Sequence, residues 1–200
     1  MSPDSVFART AKNKSNQIIM KAVSKLCGHW LIVSFLAMGA VVHARAALKP
    51  GDPAPDFSLV GSDGKTYKLS DFKGKQAVVV AWFPKAFTGG CTAECKSMRE
   101  TGGEIRKFDV AYFTASVDPA DTNKKFAESL QVDYPILSDP TTATAKAYGV
   151  LNEERKFANR WTFYIGKDGK ILFIDSTVKP ASHGSDIAAK LKELGVAQKK

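Results

Sequence analysis

The seven residues AVVVAWF at 77–83 constrain the fold more than any other part of the chain. A continuous apolar run of this length, rich in β-branched residues and ended by Pro84, reads as a strand buried on both faces. Such a strand lies inside a sheet covered by helices, and the flanking segments supply both. A small hairpin precedes it, with strands at 58–60 and 66–69 around the turn GSDG. After it come a helical pattern at 91–108 with Met98, Ile105 and Phe108 on one side, and a second buried strand, VAYFTASV, at 110–117. A helix at 120–130, a short strand at 134–138 and a helix at 141–148 opened by DPTT follow. A hairpin, 161–165 and 171–174 around GKDGK, and a helix from Ser185 to Leu194 stopped by Gly195 complete the series. This order predicts an α/β fold: a central mixed β-sheet flanked by helices on both faces, with AVVVAWF as its central strand.

Charge divides the chain unevenly. The whole carries +9, yet residues 1–46 hold six Lys/Arg against the single acid Asp4, which leaves 23 basic and 19 acidic residues for the remainder. That remainder is only mildly basic, and its lysines alternate with acids without interleaved aromatics, so no nucleic-acid partner is expected. The leading 46 residues have the three parts of a secretory signal: lysines, the uncharged run WLIVSFLAMGAVV at 30–42, and the small-residue site Ala44-Arg45-Ala46. Cleavage after Ala46 is expected, with export to a bacterial periplasm. Thirteen apolar residues fall short of the roughly 20 that span a bilayer, so a membrane partner follows only if the signal stays uncleaved as an anchor. Met1 and Met20 are both candidate starts. The Pro-rich LKPGDPAP then opens one domain, residues 47–200.

Export removes Cys27 and leaves one pair, Cys91 and Cys95, in an oxidising compartment. One pair is too few for a disulfide scaffold, so a reactive or metal-binding pair is the better reading. Chemistry in α/β sheets gathers at the carboxyl ends of strands, and the segment leaving AVVVAWF is PKAFTGGCTAEC, residues 84–95. It places Cys91 where loop becomes helix, at unsatisfied amides and the positive end of the helix dipole, which favour the reactive thiolate.

Pro84, Thr88 and Cys91 form the pattern P-x-x-x-T-x-x-C, and with it the chain resembles the peroxiredoxins from Gly51 to Gly195. GDPAPDFSL near the start, YGV at 148–150 and an arginine before WTFYI match further, closest to the bacterioferritin-comigratory, PrxQ-like branch. The resemblance implies a thioredoxin-like fold and a thiol-dependent peroxidase. In it Cys91 is the peroxidatic nucleophile, Thr88 holds the peroxide, Pro84 shields the site, and Arg160 favours the thiolate and stabilises the departing oxygen. Each has a plainer reading: Pro84 ends a strand, Thr88 caps a helix, Arg160 is a solvated surface charge. The implied partners are a peroxide and a thioredoxin-like or small-thiol reductant. The absence of a C-terminal second cysteine points to a monomer.

Cys95 departs from the branch, which spaces its pair C-x4-C, whereas Lys96 occupies that position here and the spacing is C-x3-C. Residues four apart on a helix are about 6 Å apart along its axis, near the upper end of disulfide reach. Cys95 is therefore the expected resolving thiol if the first turn loosens. The same C-x3-C suits a Sco-like copper-binding assembly protein, but RKFANRWTFYI at 155–165 lacks the third-ligand histidine, and His183 is expected to be solvated in a turn. No G-x-G-x-x-G, P-loop or zinc spacing occurs, so no bound cofactor is expected.

Overall fold

A computed structural model describes residues 47–199; the leader, with its cleavage site and Cys27, lies outside the described residues. Five strands form the first part of the chain's main sheet. They are β1 (Ser58–Gly61) and β2 (Thr66–Lys68), then β3 (Ala77–Trp82), β4 (Val110–Ser116) and β5 (Ile136–Ser138). The helices α1 (Gly89–Glu100) and α2 (Gly102–Ile105) join β3 to β4, α3 (Ala120–Leu130) joins β4 to β5, and α4 (Ala143–Ala147) follows β5. A two-stranded ribbon, β6 (Leu151–Asn152) and β7 (Phe157–Ala158), precedes the hairpin β8 (Thr162–Ile165) and β9 (Ile171–Asp175), and α5 (His183–Glu193) closes the chain. Among the described residues no helix is long and apolar enough to cross a membrane.

The main sheet runs β2-β1-β5-β4-β3-β8-β9, with β3, β4 and β5 mutually parallel and the outer neighbours antiparallel. All six residues of β3 are buried, as the unbroken apolar run predicts, though β4 and not β3 is the middle strand. Alternate β3 side chains serve two cores. Val78, Val80 and Trp82 join Phe113, Leu137, Tyr148 and Phe163 on one face. Val79 and Ala81 join Met98 and Ile105 beneath α1 and α2, with Ile187 and Leu191 from α5, on the other. Each fully buried Val contributes on the order of 1.5–3 kcal/mol.

Three elements differ from expectation. The helix expected over 91–108 breaks at Thr101, whose ψ of 2° leaves the helical range, before Gly102 and Gly103, the poorest helix formers after proline. The strand expected from Tyr134 begins only at Ile136, since Pro135 has no N–H for a ladder. The β6–β7 ribbon was not foreseen, because two-residue strands carry no alternation to read.

Candidate active site

Phe83 still donates its N–H to the Ala115 carbonyl at 2.9 Å, so the chain leaves the sheet only at Pro84, which cannot extend the ladder. The loop that follows is pinned from the neighbouring strand. Ala86 N–H donates to Asp118 Oδ2 at 2.9 Å, and Ser116 Oγ donates to the same oxygen at 2.9 Å. Asp118 stands just past the end of β4, so two parallel carboxyl ends meet at this loop. Phe87 next to the tether holds a φ of 62°, uncommon for a bulky residue, with its exposed ring 5.0 Å from that of Phe126.

Thr88 takes the N-cap position of α1 without capping it; its Oγ1 donates instead to the Lys85 carbonyl at 2.9 Å. The hydroxyl has one proton, spent there, and is left with lone pairs to offer a substrate. The first intrahelical bond runs from Thr92 N–H to the Thr88 carbonyl at 2.9 Å, so the amides of Gly89, Gly90 and Cys91 have no intrahelical acceptor. Cys91 sits in this turn, fully buried.

Arg160 reaches the same place from across the sheet. β8 runs antiparallel to β3 with Thr162 opposite Ala81 and the Trp161 carbonyl accepting from Trp82 N–H, so Arg160, two positions before β8, lies beside the end of β3. The Arg160 side chain is only 19% exposed and is not a solvated surface charge. Its Nη2–H donates to Cys91 Sγ at 3.3 Å, and its Nη1–H donates to Glu94 Oε2. Gly90 leaves the necessary room, since a Cβ there would lie 3.2 Å from Nη2. Glu94 is fully buried one turn along α1 from Cys91, and a buried carboxylate without a cation would be costly.

His183 corrects the expectation of a solvated turn residue. It opens α5 fully buried because Gly184, the next residue, lets that helix press against α1: a Cβ there would overlap the Ser97 carbonyl. Gly184 N–H donates to Ser97 Oγ at 3.1 Å. The imidazole Nε2 lies 2.9 Å from Thr162 Oγ1, and Nδ1 lies 2.9 Å from Glu94 Oε1, off the line of a straight hydrogen bond. Burial pushes His183 down to about 4, with Arg160 acting the same way and Asp175 and Asp186 opposing, so the ring is neutral near pH 7.

Cys95 is fully buried among Phe83, Ala86, Phe126, Leu130 and Ile136, and unbridged, as is Cys91. Burial pushes its thiol up to about 12, the hydroxyls of Tyr134 and Thr114 acting against the shift and the neighbouring Cys91 with it. The structure thus brings Cys91, Arg160 and the Thr88 cap into one corner, with Pro84 at the start of the loop and Cys95 a turn deeper in the core. Sequence reasoning missed Glu94, His183 and Asp118. Glu94 was signalled only by lying three residues from Cys91 on one helical face, and Asp118 by closing a strand next to β3. His183 carried no local signal.

The corner can accept an oxygen pair between a hydroxyl acceptor, free amides and a guanidinium, over a sulfur nucleophile. A cleft of about 290 Å³ lined by Pro53, Asp56, Phe72 and Val78 lies toward the other end of β3 and shares no residue with it. Among the described residues no three His, Cys, Asp or Glu side chains gather in metal-ligand geometry.

A model described as the AhpC/TSA family matches residues 50–174. Peroxiredoxin Bcp of Escherichia coli (strain K12) is 34% identical over 152 residues, covering 73% of this chain and 97% of its own. Alkyl hydroperoxide reductase E of Mycobacterium tuberculosis (strain ATCC 25618 / H37Rv) is 37% identical over 130 residues, 64% of this chain and 85% of the relative. Among solved structures, peroxidoxin BcpB from Mycobacterium tuberculosis superposes with a TM-score of 0.67 at 32% identity, covering 73% of this chain and 97% of that one. The fold is accordingly thioredoxin-like.

Proposed function

The chain belongs to the AhpC/TSA family as a peroxiredoxin of the Bcp type, an oxidoreductase, and from that premise we propose that it reduces hydrogen peroxide and organic hydroperoxides at Cys91. The observation that carries the reading is the Arg160 guanidinium 3.3 Å from Cys91 Sγ in the first turn of α1. The thiolate attacks one peroxide oxygen, the O–O bond breaks, and a sulfenic acid forms on Cys91 while the other oxygen leaves as alkoxide or hydroxide and takes up a proton. Thr88 accepts the peroxide O–H, the free amides of the first turn donate to its oxygens, and Arg160 offsets charge on the departing one. Pro84 and the buried Ala86 shield the sulfur from water.

Cys95 then resolves the sulfenic acid: its sulfur attacks that of Cys91, the disulfide forms and water leaves. The intact helix keeps both residues in one core cluster, so the first turn of α1 must open before the sulfurs meet. Opening also readmits water to Cys95, whose burial otherwise holds its proton on. A thioredoxin-type dithiol or a small thiol returns the two electrons. The signal-like pattern of residues 1–46 supports a setting outside the cytoplasm, in a periplasm, and cell fractionation checks that part.

The experiment is peroxide consumption by the full chain with a thiol reductant, beside Cys91→Ser. Turnover lost in the variant supports the peroxidase; none in either protein, with several reductants, overturns it. Intact mass after one equivalent of peroxide reads the second step. A loss of two hydrogens that disappears in Cys95→Ser supports Cys95, and a persistent oxygen adduct assigns the step to an external thiol.

A further inference from the structure

Behind Arg160 lies a line of buried polar groups that the peroxide chemistry does not touch. Thr162 Oγ1 meets His183 Nε2 at 2.9 Å, His183 Nδ1 meets Glu94 Oε1 at 2.9 Å, and Glu94 Oε2 accepts from the guanidinium that reaches Cys91. Glu94, Thr162 and His183 are all fully buried, and neither Glu94 Oε1 nor His183 Nδ1 has any other polar partner among the described residues.

We propose that His183 is a positioning residue for the peroxidase reaction: it fixes the Glu94 carboxylate, and through it the Arg160 guanidinium, against Cys91. This rests on the peroxidase reading of the same site. The chemistry of the line assigns the tautomer. Thr162 is a hydroxyl whose proton can go to Nε2, which leaves the ring proton on Nδ1, facing a carboxylate that can only accept. One oxygen of Glu94 is then engaged by His183 and the other by Arg160, so the carboxylate cannot rotate and the guanidinium plane is set. Hydrogen bonds of this kind are often oblique before substrate binds and straighten in the complex. The groups facing the imidazole are Glu94 from α1, Arg160 from the segment before β8, Asp175 at the end of β9 and Asp186 from α5 itself, and the ring stays neutral among them. A neutral donor holds Glu94 without competing with Arg160 as a second cation would. Arg160 thus owes its aim to a side chain on the last helix.

Two side chains separate this role from plain packing. An Asn amide can stand where Nδ1 stands and donate to Glu94; a Gln amide reaches where Nε2 stands and keeps only the Thr162 contact. The full chain carrying each substitution is mixed with hydrogen peroxide, and Cys91 oxidation is followed by tryptophan fluorescence. His183→Gln should lose about 10- to 100-fold in the second-order rate, the scale of a small misplacement of a reacting group. His183→Asn should recover most of that rate, and Thr162→Val, which leaves the Nδ1 proton facing Glu94, should stay closer to wild type than Gln. Iodoacetamide alkylation of Cys91, read by peptide mass, should fall several-fold in Gln but not in Asn, and it needs no peroxide. If wild type oxidises rapidly while Asn and Gln are equally fast or equally slow at matched thermal midpoints, the positioning role is overturned. If wild type ignores peroxide but alkylation still separates Asn from Gln, the positioning stands and the peroxidase reading falls.

Discussion

Arg160 donates to the sulfur of Cys91 across 3.3 Å although 69 positions separate them in the chain. The antiparallel pairing of β8 with β3 closes that gap, and Glu94 holds the other arm of the guanidinium. The two contacts make separate demands on the side chain. Arg160→Met should slow Cys91 oxidation by about 10²–10³-fold, the cost of a lost preorganised donor. It should also destabilise the fold by roughly 3–5 kcal/mol, because it leaves the buried Glu94 carboxyl without its cation. Arg160→Lys should restore more of the stability than of the rate, since one ammonium cannot serve both partners in the forked geometry. Stopped-flow oxidation and chemical denaturation read the two quantities separately.

Thr88 gives its only proton to Lys85, so its use to a peroxide is as an acceptor. Thr88→Val keeps the shape and removes the lone pairs; the oxidation rate should fall by roughly 10- to 100-fold, the worth of one hydrogen bond to a reacting group. Thr88→Ser should stay within a few-fold of wild type. Equal rates for Val and Ser would assign the residue to the loop turn alone.

At Gly184 α5 packs closely against α1. A methyl there would collide with the Ser97 carbonyl, a backbone atom, and lie 2.9 Å from Thr101 Cβ. Gly184→Ala should therefore cost on the order of 1–3 kcal/mol in urea denaturation despite improving helix propensity. An unchanged or raised urea midpoint would show that the helices can part without loss.

His183 makes stability depend on pH in a defined sense. Burial takes the ring from its ordinary value of 6.5 to about 4 in the folded chain. Between those values the unfolded chain binds the extra proton, so this contribution is complete above pH 6.5 and is lost as pH falls toward 4, by on the order of 3 kcal/mol. His183→Asn has no such proton to gain. Thermal midpoints of the two proteins should converge as pH falls from 6.5 to 4, and parallel curves would contradict the assignment.

The parts of this molecule visible in its sequence are those whose cause is local. AVVVAWF reads as a buried strand because both faces of β3 are covered, and Cys91 reads as an activated thiol because loop, glycines and helix start are adjacent in the chain. Arg160 was legible only through resemblance, as nothing near it says that β8 turns back beside β3. Glu94 looks like any solvent-facing acid of a helix until the guanidinium arrives from 66 positions away. His183 stands beside Ser, Gly and Asp, the composition of an exposed turn, and its burial follows from the fit of Gly184 on Ser97.

The tether from Ala86 to Asp118 divides the site mechanically. It anchors the loop to β4, whereas Cys91 belongs to α1, so the loop and the first helical turn are fastened to different parts of the body. On the proposed route, unwinding that turn would carry the sulfur and the first-turn amides away while Ala86 stays fastened to the sheet. The tethered start of the loop would then guide that turn back into place, so each proposed cycle would re-form one turn of helix and not the whole loop.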